Sequence, residues 1–127
     1  MITEYARDDS HRQITVTTGE TVDGADLWGI VERQAREGIW SYNVLYDERR
    51  STMALTPNDF RRLLSRIEEL NALHGLRGRV AIVAGSASEL ELLTIYSELA
   101  GTVNVASRAF LSLDAAQAWL DEAHAGV

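Results

Sequence analysis

Cysteine is absent from this chain of 127 residues, so disulfides, thiolate nucleophiles and Cys-ligated metals are excluded. Lysine is absent too: the 12 basic residues are all arginine. Schiff-base chemistry and a lysine general base are thereby removed. An all-arginine set reads as a compositional bias of the source genome, with bidentate anion recognition as the functional alternative. Proline occurs once and low-complexity sequence not at all, so no linker divides the chain. Long apolar runs are missing, and the opening stretch is expected to be neither signal peptide nor membrane span. Positive charge is scarce against 19 acidic residues, giving a net charge of −7. A net anion is repelled by phosphate, which argues against non-specific nucleic-acid binding and against docking on an anionic membrane.

What is present suits one globular domain spanning residues 1–127. Hydrophobic residues make up 46% and charged residues 24%, ordinary for a packed core with a solvated surface. A reducing cytoplasm is the expected compartment.

A strand–helix alternation runs from Gln13 to Leu120. Short apolar runs at 14–18, 43–46, 80–84 and 103–106 each lead into a segment of helical spacing beginning near Asp23, Pro57, Glu89 or Leu113. Residues 2–7 and 12–18 flank a polar turn and predict a β-hairpin, with Glu4 and Arg7 guarding an edge strand. Asp23 with Asp26 predicts a helix start, and Gly38 its end. Thr56 and Pro57 open a second helix that Gly75 closes, with Phe60, Leu63, Leu64, Ile67 and Leu70 as a single stripe. Ser88 with Glu91 predicts a capping box for the third helix, whose inward face is read as Leu92, Ile95, Tyr96 and Leu99. Ser112 caps the fourth, with Leu113, Ala116, Trp119 and Leu120 inward. The segment 80–84 is apolar at every position, so it belongs in the middle of a sheet covered on both faces. The expected fold is α/β: a right-handed βα superhelix with a mainly parallel five-stranded sheet, an antiparallel N-terminal edge strand and four helices.

Three stretches add a family resemblance. Val44-Leu45-Tyr46-Asp47-Glu48-Arg49 resembles the second-strand signature of SpoIIAA-like (STAS-type) domains. Arg79-Val80-Ala81-Ile82-Val83-Ala84-Gly85 resembles their central strand. Phe110-Leu111-Ser112-Leu113-Asp114, running on to Trp119-Leu120, resembles their closing helix. Anti-sigma-factor antagonists of this fold carry a phosphorylatable serine in an Asp-Ser-Ser-Gly-like turn before the second helix. Here Asp47 matches the acidic residue, but no serine follows at that spacing and no glycine opens the helix. The chain resembles a divergent, uncharacterised bacterial branch of these domains.

Candidate functional residues cluster where strands end, as open α/β sheets bind ligands there. Asp47, Glu48, Arg49 and Arg50 sit at one such end, with Arg61 and Arg62 a turn into the next helix. They can read an anion or an acidic partner, or pair with one another on a solvated surface. Ser51 and Thr52 are phosphorylatable hydroxyls in the same loop. Gly85-Ser86-Ala87-Ser88 joins a buried strand to a helix N-terminus, where free amides can hold a phosphate or carboxylate, or where the turn simply caps the helix. His11, His74 and His124 are spaced too far apart to suggest a metal or catalytic cluster. Among the aromatics, Trp28 and Trp40 fall outside the core stripes and are expected to be partly exposed.

These residues predict a non-enzymatic regulatory or protein-interaction module, without cofactor, that presents loop 47–56 and the adjoining helix to a protein partner. The alternative is a binding module for a small apolar or anionic, lipid-like ligand at the strand ends. A homodimer through the edge strand is a further option.

Overall fold

In the computed structural model, residues 1–125 are described, with side chains through residue 122. The side chain of His124 lies outside them. The chain runs β1 (Ile2–Asp8), β2 (Gln13–Thr18), β3 (Glu20–Val22), α1 (Gly24–Arg36), β4 (Asn43–Glu48), β5 (Ser51–Met53), α2 (Pro57–His74), β6 (Val80–Ala84), α3 (Ala87–Ala100), a 3-10 turn (Gly101–Val103), β7 (Ser107–Phe110) and α4 (Leu113–Ala125).

Five strands form one sheet in the order β1-β2-β4-β6-β7. β1 and β2 pair antiparallel as a hairpin, with Tyr5 opposite Val16. Every other pairing is parallel, Val16 against Tyr46, Tyr46 against Ile82, and Ile82 against Ala109. Alternation along the strands makes two cores of unequal size. Ile14, Val16, Val44, Tyr46 and Val80 face α1 and α2, with Tyr96 and Ala100 of α3 at the margin. Leu45, Ala81 and Val83 face only α4, through Ala116 and Leu120. The strand at 80–84 therefore lies inside the sheet with helices on both faces, as its apolar sequence demands.

The helix signals act as local chemistry predicts for α1 and α2. Asp23 and Asp26 form a reciprocal capping box, each side chain accepting from the other's backbone N–H at 2.9 and 3.1 Å. Thr56 Oγ1 accepts from the Asp59 amide at 3.1 Å, Pro57 begins α2, and Gly75 ends it at φ 83°. Loss of the Thr56 hydroxyl in Thr56→Ala should cost about 1 kcal/mol, measured by urea denaturation.

Four expectations need correction. The last strand is at Ser107–Phe110 rather than 103–106. Val103 instead closes the 3-10 turn, Asn104 turns the chain at φ 61°, and Val103 and Val105 are buried as plugs under α2 and α3. Helix α3 is capped by Ser86, whose Oγ accepts from the Glu89 amide at 3.2 Å, not by Ser88. Its buried face is Leu93 and Ser97, with Tyr96 half-buried, while Ile95 and Leu99 are exposed. Apolar residues ring this helix, so spacing alone did not select the face. Trp40 is buried at 3% exposure: its Nε1–H donates to Asn71 at 3.0 Å and the Arg77 guanidinium lies over its ring.

A buried polar hub supports this region. The Gln34 amide donates to the carbonyls of Ile39, Trp40 and Tyr42, and its oxygen accepts from Arg77 Nε at 2.9 Å. Arg77 also donates to the Tyr46 hydroxyl at 3.3 Å. A guanidinium can fill this role because its planar fork reaches two acceptors while stacking on an indole.

Candidate functional site

β4 is two residues longer than its apolar run, and this carries Asp47 and Glu48 to the C-terminal edge of the sheet on opposite faces. Asp47 is engaged by its own loop. Arg49 donates Nε–H and Nη2–H to its two carboxylate oxygens at 2.8 and 2.9 Å. This pairing, foremost the side-chain hydrogen bonds, holds the Asp47 carboxyl below its usual range. Ser51 is buried, its Oγ 2.6 Å from Thr18 Oγ1, which also donates to the Asp47 carbonyl. Ser51 therefore fastens the loop, and Thr52 is the exposed hydroxyl of the pair. Behind it β3 and β5 pair in parallel as a separate two-stranded sheet, an element absent from the sequence reading.

The structure brings this loop against the β6–α3 turn. A Cβ on Gly85 would stand 2.3 Å from the Arg49 carbonyl oxygen, so the two backbones touch. The Met53 amide donates to Glu89 at 3.3 Å. Asp47, Arg49, Arg50, Thr52, Ser86 and Ser88 thus share one rim, with Ser51 beneath it. The histidines do not join it. His11 pairs with Asp8 at 2.7 Å in the hairpin turn, and His74 is exposed at the end of α2.

Two features escaped the sequence reading. The first is Glu48, which follows Val44 and Tyr46 in the inward register and is 5% exposed. Burial, then the nearby Glu89 carboxylate, push its carboxyl up to about 8 against the pull of the Met1 amine, with Asp47 adding least. Its period-two spacing was the available signal. The second is that Trp28, expected to be partly exposed, and Arg61 and Arg62, read with the β4 loop, join on one outer face of α1 and α2. Trp28 is exposed there beside Arg36, Arg61 and Arg62. Arg66 in the same groove is paired with Glu32 at 2.5 Å and Glu69 at 3.0 Å. Arg61 and Arg62 make no ion pair among the described residues.

This is a SpoIIAA-like fold, the architecture of STAS-type domains. It is similar to the crystal structure of an uncharacterised DUF3478-family protein with a SpoIIAA-like fold from Shewanella loihica PV-4, with 14% identity over 94% of this chain and 92% of that one and a TM-score of 0.58. It is also similar to the anti-sigma factor antagonist SpoIIAA in its unphosphorylated form, with 12% identity, coverage of 98% and 96%, and a TM-score of 0.50. At these identities the likeness is one of fold. No family model and no curated protein matches the chain. No described helix is long and apolar enough to cross a membrane.

Proposed function

We propose that this protein is a non-enzymatic interaction module that receives an acidic segment of a protein partner on the outer face of α1 and α2. The observation that carries the reading is an exposed indole, Trp28, set among Arg36, Arg61 and Arg62 on a chain whose net charge is −7. Tryptophan and arginine are the residue types that most often dominate binding energy at interfaces. Unpaired guanidinium groups on an otherwise anionic surface select and steer a negatively charged partner. The likeness of fold to the anti-sigma factor antagonist SpoIIAA accords with a regulatory role.

Affinity capture from the source cells, read by quantitative mass spectrometry, tests the proposal. The wild-type bait should retain a partner that Arg61→Glu/Arg62→Glu loses by at least ~10-fold, with unchanged far-UV circular dichroism. Trp28→Ala should weaken the same capture by a similar factor. Retention unaffected by all three substitutions would refute the docking face.

A further inference from the structure

Beneath α2 and α3, against the helix-covered face of the sheet, lies a cavity of about 70 Å³. Its wall is almost wholly apolar, formed by Leu55, Phe60, Leu93 and Tyr96 among others. Two charged-type side chains reach it, Arg77 and Glu48. Arg77 is already committed to Gln34, Tyr46 and the Trp40 ring. Glu48 is not: among the described residues no side chain or amide is hydrogen-bonded to its carboxyl. The groups whose charge it feels are Glu89 on α3, Asp47 on its own strand and the amine of Met1. Two of these three are acids, and none bonds to it.

A buried polar group without a partner is costly, and native proteins satisfy nearly all of them. Among the described residues no fully buried side-chain oxygen or nitrogen lacks a partner, so the Glu48 carboxyl, bonded to no protein group, is open to solvent, and the apolar space it borders can bring it a partner from outside the chain. Burial and the adjacent acids keep Glu48 neutral near pH 7. A neutral carboxyl presents an O–H donor and wants an oxygen acceptor. A charged ligand would have to shed its hydration against an almost wholly apolar wall whose one guanidinium, Arg77, is already committed, and an ammonium would also require Glu48 to ionise there.

We propose that this cavity is a binding site for a small uncharged molecule, or the end of a longer one, with an apolar body and one carbonyl or ether-type oxygen that accepts a hydrogen bond from Glu48. The volume is roughly half that of an apolar cavity that admits benzene, which suits a group of about three to five heavy atoms. The site lies below the α1–α2 docking face and does not rest on it.

Butan-2-one is a suitable probe, followed by methyl resonances of Leu55 and Leu93 in the intact protein, with propionate and propylamine as charged probes of similar size. Butan-2-one should shift these resonances saturably at millimolar concentration at pH 6.5, and the charged probes at least ~10-fold more weakly. Glu48→Leu, which removes the donor, should weaken the ketone at least ~10-fold. Glu48→Gln, which keeps a neutral N–H donor, should retain it and abolish the fall in affinity expected of the wild type above about pH 8. Equal binding by Glu48→Leu, preference for a charged probe, or no saturable shift with butan-2-one would overturn the proposal. So would a bound water on Glu48 that the ketone fails to displace.

Discussion

Glu48→Gln is expected to remove most of the pH dependence of stability between pH 5 and pH 9. The carboxyl of Glu48 has an ordinary value of 4.5 in the unfolded chain and is pushed to about 8 in the fold, chiefly by burial and then by Glu89. Below pH 4.5 both states hold the proton and the group contributes nothing to the slope. Between these values the folded state keeps a proton that the unfolded state has released, so rising pH favours unfolding by up to about 1.4 kcal/mol per pH unit. Above about 8 both states are ionised and the loss is complete. The whole loss is on the order of 5 kcal/mol, a large share of the stability of a domain this size. The glutamine variant carries no such proton. Asp26, Glu32 and Asp47 are shifted the other way, Asp26 by the Asp23 amide and Met1 amine against its burial and the others first by arginine hydrogen bonds, so they weaken the fold only in acid. Urea denaturation at pH 5, 7 and 9 separates the two groups. Parallel loss of stability in wild type and variant from pH 5 to 9 would remove Glu48 as the cause.

Gly85→Ala should be among the most damaging single-methyl additions in the chain. The new Cβ would meet the Arg49 carbonyl oxygen at 2.3 Å and its carbon at 3.0 Å. Neither atom is the end of a flexible side chain. Arg49 is held through its amide and guanidinium to Asp47, and Glu48 and Ala84 are register partners just before the contact. Either the β6–α3 turn or loop 49–52 must move, at a cost of about 2–4 kcal/mol and a fall in Tm on the order of 10 °C. Gly29→Ala is the contrasting case. Gly29 lies inside α1, where a Cβ would have nothing within 4 Å, so alanine should stabilise by about 0.5–1 kcal/mol. Thermal denaturation of both variants is the check, and a Gly85→Ala protein as stable as wild type would show that the loop yields freely.

Local chemistry was enough where a residue's role is decided within a turn or two. The Asp23–Asp26 box, Thr56-Pro57 and the left-handed Gly75 are cases of this kind, and they bound α1 and α2 correctly. The interior place of β6, with helices on both faces, followed from five consecutive apolar residues. What failed was decided by distant partners. Trp40 is buried because Asn71 and Arg77, more than thirty residues away in sequence, receive its ring. Ser51 is buried because Thr18, at the end of β2, meets its hydroxyl at 2.6 Å. Helix α3 carries leucines on several sides, so only its seat over β6 and β7 shows that Leu93 and Ser97 point inward; Ser97 meets Ser107 there at 3.2 Å. Glu48 was legible as the third member of an inward register, yet its charge suggested a rim residue. The depth of its burial comes from α3 and Leu55, which no spacing within β4 reports.

The unequal thickness of the two cores bears on how this molecule fails. α4 alone shields Leu45, Ala81 and Val83, and its grip includes Ala116, Leu120, the Trp119 ring against Phe110, reciprocal hydrogen bonds between the Gln117 and Gln13 amides, and hydrogen bonds from Asn43 and Arg79 to the carbonyls of Leu120 and Trp119. Detaching that one helix leaves the three-helix side intact while stripping an oily ribbon from the two innermost strands. Clumping under heat or shear should therefore begin from a nearly native chain with its last helix lifted, and proteases should cut first in the connection between β7 and that helix.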